Sequence, residues 1–116
     1  MIDTPYQLSD CIFCKIAKHD YPAKIHYQDD MVTIFEDIHP AAEVHLLIIP
    51  NNHYSNLEEV GEGNISIITS LFAAARLLAA NLNLTERGYR LILNNGSGAG
   101  QTVQHLHLHL LAGEKL

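Results

Sequence analysis

The chain has 116 residues, 47% of them apolar and 17% charged, with 13 acidic and 7 basic side chains for a net charge of −6. That length holds one domain, since two halves would each be too small to bury a core. The composition excludes a disordered or fibrous chain, and the acidic balance argues against an extended nucleic-acid partner, although backbone N–H groups still allow a small anionic ligand.

Residues 1–10 read as a polar segment ahead of the domain. They carry no basic stretch followed by an apolar one, so a cytoplasmic location is expected. No run of about 18 consecutive apolar residues occurs, so no membrane span and no membrane partner are expected. Cys11 and Cys14, the only cysteines, are too few for a disulfide scaffold, and their C-x-x-C spacing favours metal or redox chemistry.

Residues 11–18, CIFCKIAK, read as a short helix capped by Ser9 or Asp10. Lys24 to Gln28 and Met31 to Phe35 read as two strands of a hairpin turning at Asp29-Asp30. Val44 to Ile49 is a short apolar run stopped by Pro50 and fits a buried strand. Asn64 to Leu82 reads as the one long helix, with an apolar stripe of Ile65, Ile68, Leu71, Phe72, Ala75, Leu78, Ala79 and Leu82. Ile67, Ala74 and Leu77 add apolar surface outside that stripe. Either the helix is buried all round or it meets a second subunit, and a homodimer is expected. Tyr89 to Asn94 and Val103 to Leu111 complete five strands. The resulting class is α+β, a mainly antiparallel sheet with one long and one short helix.

Histidine is the outlier, with eight in the chain. His105, His107 and His109 alternate with Leu106, Leu108 and Leu110. In a strand this puts all three imidazoles on one face, about 7 Å apart, and the leucines in the core. A polar strand face that happens to be histidine is the plain alternative. Imidazole titrates near neutrality, and it can ligate metal, move protons or act as a nucleophile. The preceding loop, NNGSGAGQT, places Gly96, Gly98 and Gly100 where several N–H groups can converge on an anion. Loop and histidine row together suggest a phosphate held over a nucleophile.

At these residues the sequence resembles the histidine triad family. QTVQHLHLHLL has the triad pattern, and CIFCKI, FEDIHP, HLLIIP, YRLILNNG and the glycine loop occur in that family's order. The triad ends in Leu111-Ala112-Gly113, which is similar to the Hint branch rather than the Fhit branch with its Pro-Arg ending. The resemblance covers residues 11–113. It implies a single histidine triad domain over residues 1–116 and a homodimer. It also implies cleavage of the P–N bond of purine nucleoside 5′-phosphoramidates, with no cofactor needed for the reaction.

The resemblance implies the roles of individual residues. His107 would attack the α-phosphorus and form a nucleotidyl-histidine, which water then hydrolyses. His109, His105 and the fourth histidine, His45, would support that step. Asp37 and Ile38 would take the nucleoside. Asn94, Gly100, Gln101 and Thr102 would hold the phosphate region, with Thr102 where the family more often has serine. His19, His26 and His39 fall outside the motif and read as surface residues. Dinucleoside polyphosphate hydrolysis or nucleotidyl transfer on the same fold is the second enzyme reading. A non-catalytic nucleotide-binding scaffold is the reading of another class.

Cys11, Cys14, His53 and His105 match the zinc ligands of some family members. Four protein ligands would make such a zinc structural. Two free reduced thiols and a redox-active pair are the other readings of the cysteines.

Overall fold

In the computed structural model, residues 9–113 are described. Most of the polar segment 1–10 therefore lies outside the described residues. The elements run α1 (Ile12–Ala17), β1 (Ile25–Gln28), β2 (Val32–Glu36), β3 (Val44–Pro50), α2 (Leu57–Val60), α3 (Ser66–Asn81), β4 (Arg90–Ile92) and β5 (Leu108–Ala112). Short 3-10 turns cover Glu62–Asn64 and Ser97–Ala99. The five strands form one antiparallel sheet in the order β1-β2-β3-β5-β4. The α+β class is therefore as expected.

The β1–β2 hairpin turns where expected, because Asp29 Oδ1 accepts the N–H groups of Met31 and Val32 at 2.8 and 2.9 Å. The cap of α1 is Cys11, not Ser9 or Asp10: its Sγ accepts the Cys14 N–H at 3.4 Å. The short helix α2 was not anticipated. Asn56 caps it by accepting the Glu59 N–H at 3.0 Å, and Glu59 Oε1 accepts the Ser55 N–H at 2.8 Å. Reciprocal capping of this kind holds a helix too short for an apolar period to reveal.

The sheet separates two apolar layers. On one face Ile34, Leu46, Ile48, Leu106, Leu108 and Leu110 pack with α3. On the other, Phe35, Leu47 and Ile49 pack with Phe13, Ile16 and Ala17 of α1. The leucines between the triad histidines thus enter the core, as alternation requires.

The apolar stripe of α3 is rotated from the expected one. Its buried residues are Ile67, Leu71, Ala74, Ala75, Leu78 and Ala79, while Ile65, Phe72, Leu77 and Leu82 are exposed. The helix is apolar on more than one side, so period alone does not choose the face. Glu62–Asn81 also has the length and composition to cross a membrane, contrary to the expectation from uninterrupted runs. Its buried face, however, packs on the sheet in the manner of a core helix. Asn83, at φ 60°, ends it: the Asn83 and Leu84 N–H groups return to Ala80 and Ala79 oxygens at 3.1 and 2.8 Å.

Leu71 is fully enclosed beneath the sheet. Leu71→Ala should destabilise the fold by about 2–5 kcal/mol through the cavity it leaves. Urea denaturation measures this, and a cost near zero would contradict the packing face given for α3.

Candidate active site and metal centre

The histidine row is not one continuous strand. β5 begins only at Leu108, so His105 and His107 lie on irregular backbone before it and His109 alone lies within it. The reason is local: the Leu106 N–H donates to the Tyr54 oxygen at 2.7 Å rather than to a neighbouring strand. The three rings consequently divide between two sites.

His105 is completely buried. Its Nε2–H donates to the Pro50 carbonyl at 2.8 Å. A carbonyl only accepts, so the proton is on Nε2 and Nδ1 carries a lone pair. That nitrogen lies 3.3 Å from Cys11 Sγ and 3.5 Å from Cys14 Sγ. His53 Nδ1 lies 3.4 Å from Cys14 Sγ, with its Nε2 3.3 Å from Ser55 Oγ. One ligand atom from each of Cys11, Cys14, His53 and His105 falls within 4.8 Å of the others. Burial lowers the pKa of His53 and brings that of His105 down to about 4, keeping both rings neutral at pH 7. Two sulfurs and two imidazole Nδ1 atoms, that of His105 fixed as bare, suit a tetrahedral zinc ion.

His107 faces elsewhere. Its Nδ1–H donates to the His105 carbonyl at 2.7 Å, so its Nε2 carries the lone pair. Burial lowers its pKa, partly opposed by that hydrogen bond. His107 and His109 line a cavity of about 290 Å³ together with Phe13, Asp37, Ile38 and Thr102. Their ring centroids are 4.9 Å apart, closer than the strand pitch. Phe13 stands edge-on to both His105 and His107, with centroids at 5.8 and 5.2 Å. Sequence reasoning missed Phe13 as a wall of the site, although it sits between the two cysteines.

His45 does not reach this cavity. It lies behind His109, its Nε2 2.9 Å from His109 Nδ1 and 3.5 Å from Asp37 Oδ2. Asp37, His45 and His109 form a second compact group of metal-ligand type. The Ala41 N–H, however, donates to His45 Nδ1 at 3.0 Å. That bond places the His45 proton on Nε2, the atom a metal would need bare, so this group does not suit a metal ion.

The glycine loop departs from expectation at one residue. Gln101 is buried and does not line the cavity. Its Oε1 accepts the Gly96 N–H at 2.7 Å, and its Nε2 donates to the Ser55 and Val103 oxygens at 2.6 and 3.0 Å. A buried amide must satisfy all its polar atoms, and here they staple the loop rather than meet a phosphate. Gly96 and Gly100 take φ of 98° and 96°, which other residues rarely adopt. The Asn94 amide lies against Gly100, where an added Cβ would meet it at 3.8 Å. Thr102 is exposed at the cavity mouth, and Ile38 is 79% exposed beside it. His19 and His39 are surface residues as expected, but His26 is half-buried, its Nε2 2.9 Å from Glu36 Oε2.

A family model described as "HIT domain" matches residues 18–116. The chain belongs to the HIT family. It is 40% identical over 107 residues to the purine nucleoside phosphoramidase of Escherichia coli, covering 92% of this chain and 90% of that one. It is 43% identical over 105 residues to an uncharacterized HIT-like protein of Buchnera aphidicola subsp. Baizongia pistaciae, covering 90% and 94%. A solved HIT family hydrolase from Clostridium thermocellum superposes with a TM-score of 0.90 at 49% identity, over 94% of this chain and 95% of that chain.

Proposed function

We propose that this HIT family hydrolase cleaves the P–N bond of purine nucleoside 5′-phosphoramidates through a nucleotidyl-His107 intermediate. The observation that carries the reading is the 2.7 Å bond from His107 Nδ1–H to the His105 carbonyl, which leaves Nε2 as a lone pair in a ring lining the cavity. His107 Nε2 attacks the α-phosphorus and forms an N–P bond. The substrate's P–N bond breaks, and the amine leaves with a proton drawn from water. Water then attacks phosphorus, the bond to Nε2 breaks, and a nucleoside monophosphate and a proton are released. Phosphoryl transfer of this kind depends on position and on stabilising the equatorial oxygens. His109, which lines the cavity beside His107, is the side chain that would supply such a donor. Asp37 accepts from ribose hydroxyls, and Ile38 and Phe13 offer apolar surface to a purine.

In a side-by-side assay with a fluorogenic adenosine 5′-phosphoramidate, wild type should turn over and His107→Ala should not, while AMP still binds the variant. Equal turnover by both would remove His107 as nucleophile. Turnover of dinucleoside polyphosphates alone would favour the second enzyme reading, and AMP binding with no turnover of either substrate would favour a scaffold.

We also propose a structural zinc ion on Cys11, Cys14, His53 and His105. It would tie α1 and the Pro50–Ser55 segment to the triad and leave His107 free. Elemental analysis of protein purified without a metal-affinity tag should find about one zinc per chain; a value near zero would overturn this.

A second copy of the chain is the proposed cover for the outward face of α3. Ile65 and Phe72 stand two turns apart on that face, 62% and 44% exposed. Light scattering should give a mass about twice the 12.9 kDa of one chain. A mass of one chain at micromolar concentration would contradict the dimer.

A further inference from the structure

Cys11 and Cys14 stand on the first turn of α1, and the Cys11 sulfur leans over that turn to accept the Cys14 N–H at 3.4 Å. The two Sγ atoms lie within 4.8 Å of each other. A disulfide of about 2 Å therefore closes a gap of at most about 3 Å. Cys11 is half-buried and lines a cavity of about 440 Å³ with Asp10, His53, Ser55 and Gln104. Asp10 and Gln104 are exposed, so a small oxidant reaches Cys11 from solvent. Cys14 is completely buried behind it. An accessible sulfur with a sheltered one beside it favours a disulfide over further oxidation.

The residues between the two sulfurs are walls of the other cavity. Ile12 and Phe13 both line it with His107 and His109, and Phe13 stands edge-on to the His105 and His107 rings. Drawing the sulfurs together moves the turn that carries both walls. Oxidation also changes what His105 meets. Its bare Nδ1, fully buried, faces the two sulfurs at 3.3 and 3.5 Å. A thiol offers that lone pair an S–H, and a zinc ion offers it a bond. A disulfide sulfur offers neither, and a buried acceptor without a partner is costly. The strain falls on His105, whose carbonyl holds the His107 ring at 2.7 Å.

We propose that Cys11 and Cys14 are a peroxide-sensitive pair whose oxidation to a disulfide reshapes the His107 cavity and weakens nucleotide binding there. The Cys11 sulfur attacks one peroxide oxygen and the O–O bond breaks. Cys11 becomes a sulfenic acid, and the other oxygen leaves as water with the thiol proton. The Cys14 sulfur then attacks the Cys11 sulfur, the S–O bond breaks, and a second water leaves with the Cys14 proton. Two thiols thus lose two electrons to one peroxide. A zinc ion on the same sulfurs would depart as Zn²⁺, and the two waters would then take their protons from solvent. The thiol chemistry stands apart from the function proposed above, and only the identity of the cavity's ligand rests on it.

The test treats wild type with hydrogen peroxide and then with dithiothreitol. Peptide mass mapping should find a bond between Cys11 and Cys14, and any zinc bound beforehand should appear in solution. AMP affinity, measured by calorimetry, should fall about tenfold and return on reduction. That return separates the disulfide from oxidation of the exposed Met31, which a thiol does not reverse. The double variant Cys11→Ser, Cys14→Ser should show one AMP affinity with and without peroxide. Should it not fold, wild type decides alone: the NMR resonances of the Phe13 and His107 rings should move on oxidation and return on reduction. Cysteines left unbonded by peroxide would overturn the proposal. So would a disulfide that leaves AMP affinity and both rings unchanged. Failure of reduced wild type to bind AMP would count against the proposed function, and the ring resonances would then decide the thiol pair by themselves.

Discussion

A neutral imidazole has one donor and one acceptor, and a backbone group opposite either nitrogen decides which is which. Three main-chain groups make that decision here. The Pro50 carbonyl sets His105, the His105 carbonyl sets His107, and the Ala41 N–H sets His45 and through it His109. Burial keeps two of them neutral: His105 and His109 both have their pKa lowered to about 4, chiefly through desolvation, so neither becomes a double donor at neutral pH. Without those backbone contacts the same rings would sample both tautomers, and neither site would have a defined polarity.

The backbone groups are in place because of the sheet. β3 pairs with β2 on one side and β5 on the other, so Pro50 and His45, at the two ends of β3, are fixed relative to the triad segment. One layer of apolar side chains under α3 and another under α1 hold the sheet from both faces. Phe13 belongs to the second layer and touches two triad rings, so the packing that anchors α1 also orients the site.

His105 joins the two halves of the chemistry. Its ring faces the cysteines while its carbonyl holds the His107 ring. Gln101 makes a parallel link, binding Ser55, two residues beyond His53, to Gly96 and Val103 of the loop. The cysteine–histidine cluster, the loop and the triad segment therefore form one connected polar framework. Among the described residues, no buried side-chain nitrogen or oxygen lacks a partner in it.

Much of this was legible in the chain. Strand period puts Leu106, Leu108 and Leu110 in the core, turn chemistry at Asp29-Asp30 places the hairpin, and the grouping of Cys11, Cys14, His53 and His105 follows from their types and from the family pattern. Other features were not legible. The face of α3 was misjudged because apolar residues surround most of that helix. Gln101 looked like a phosphate contact because sequence shows residue type and not how many of its polar atoms are already committed. His105, His107 and His109 looked like one row, yet one ring serves the sulfur cluster and two serve the cavity. The sequence by itself determined which side chains could do chemistry and which apolar residues could build a core, since both depend on residue type and local period. Only the tertiary structure decided which nitrogen of each histidine carries the proton, because that depends on main-chain groups as far away as 55 residues along the chain.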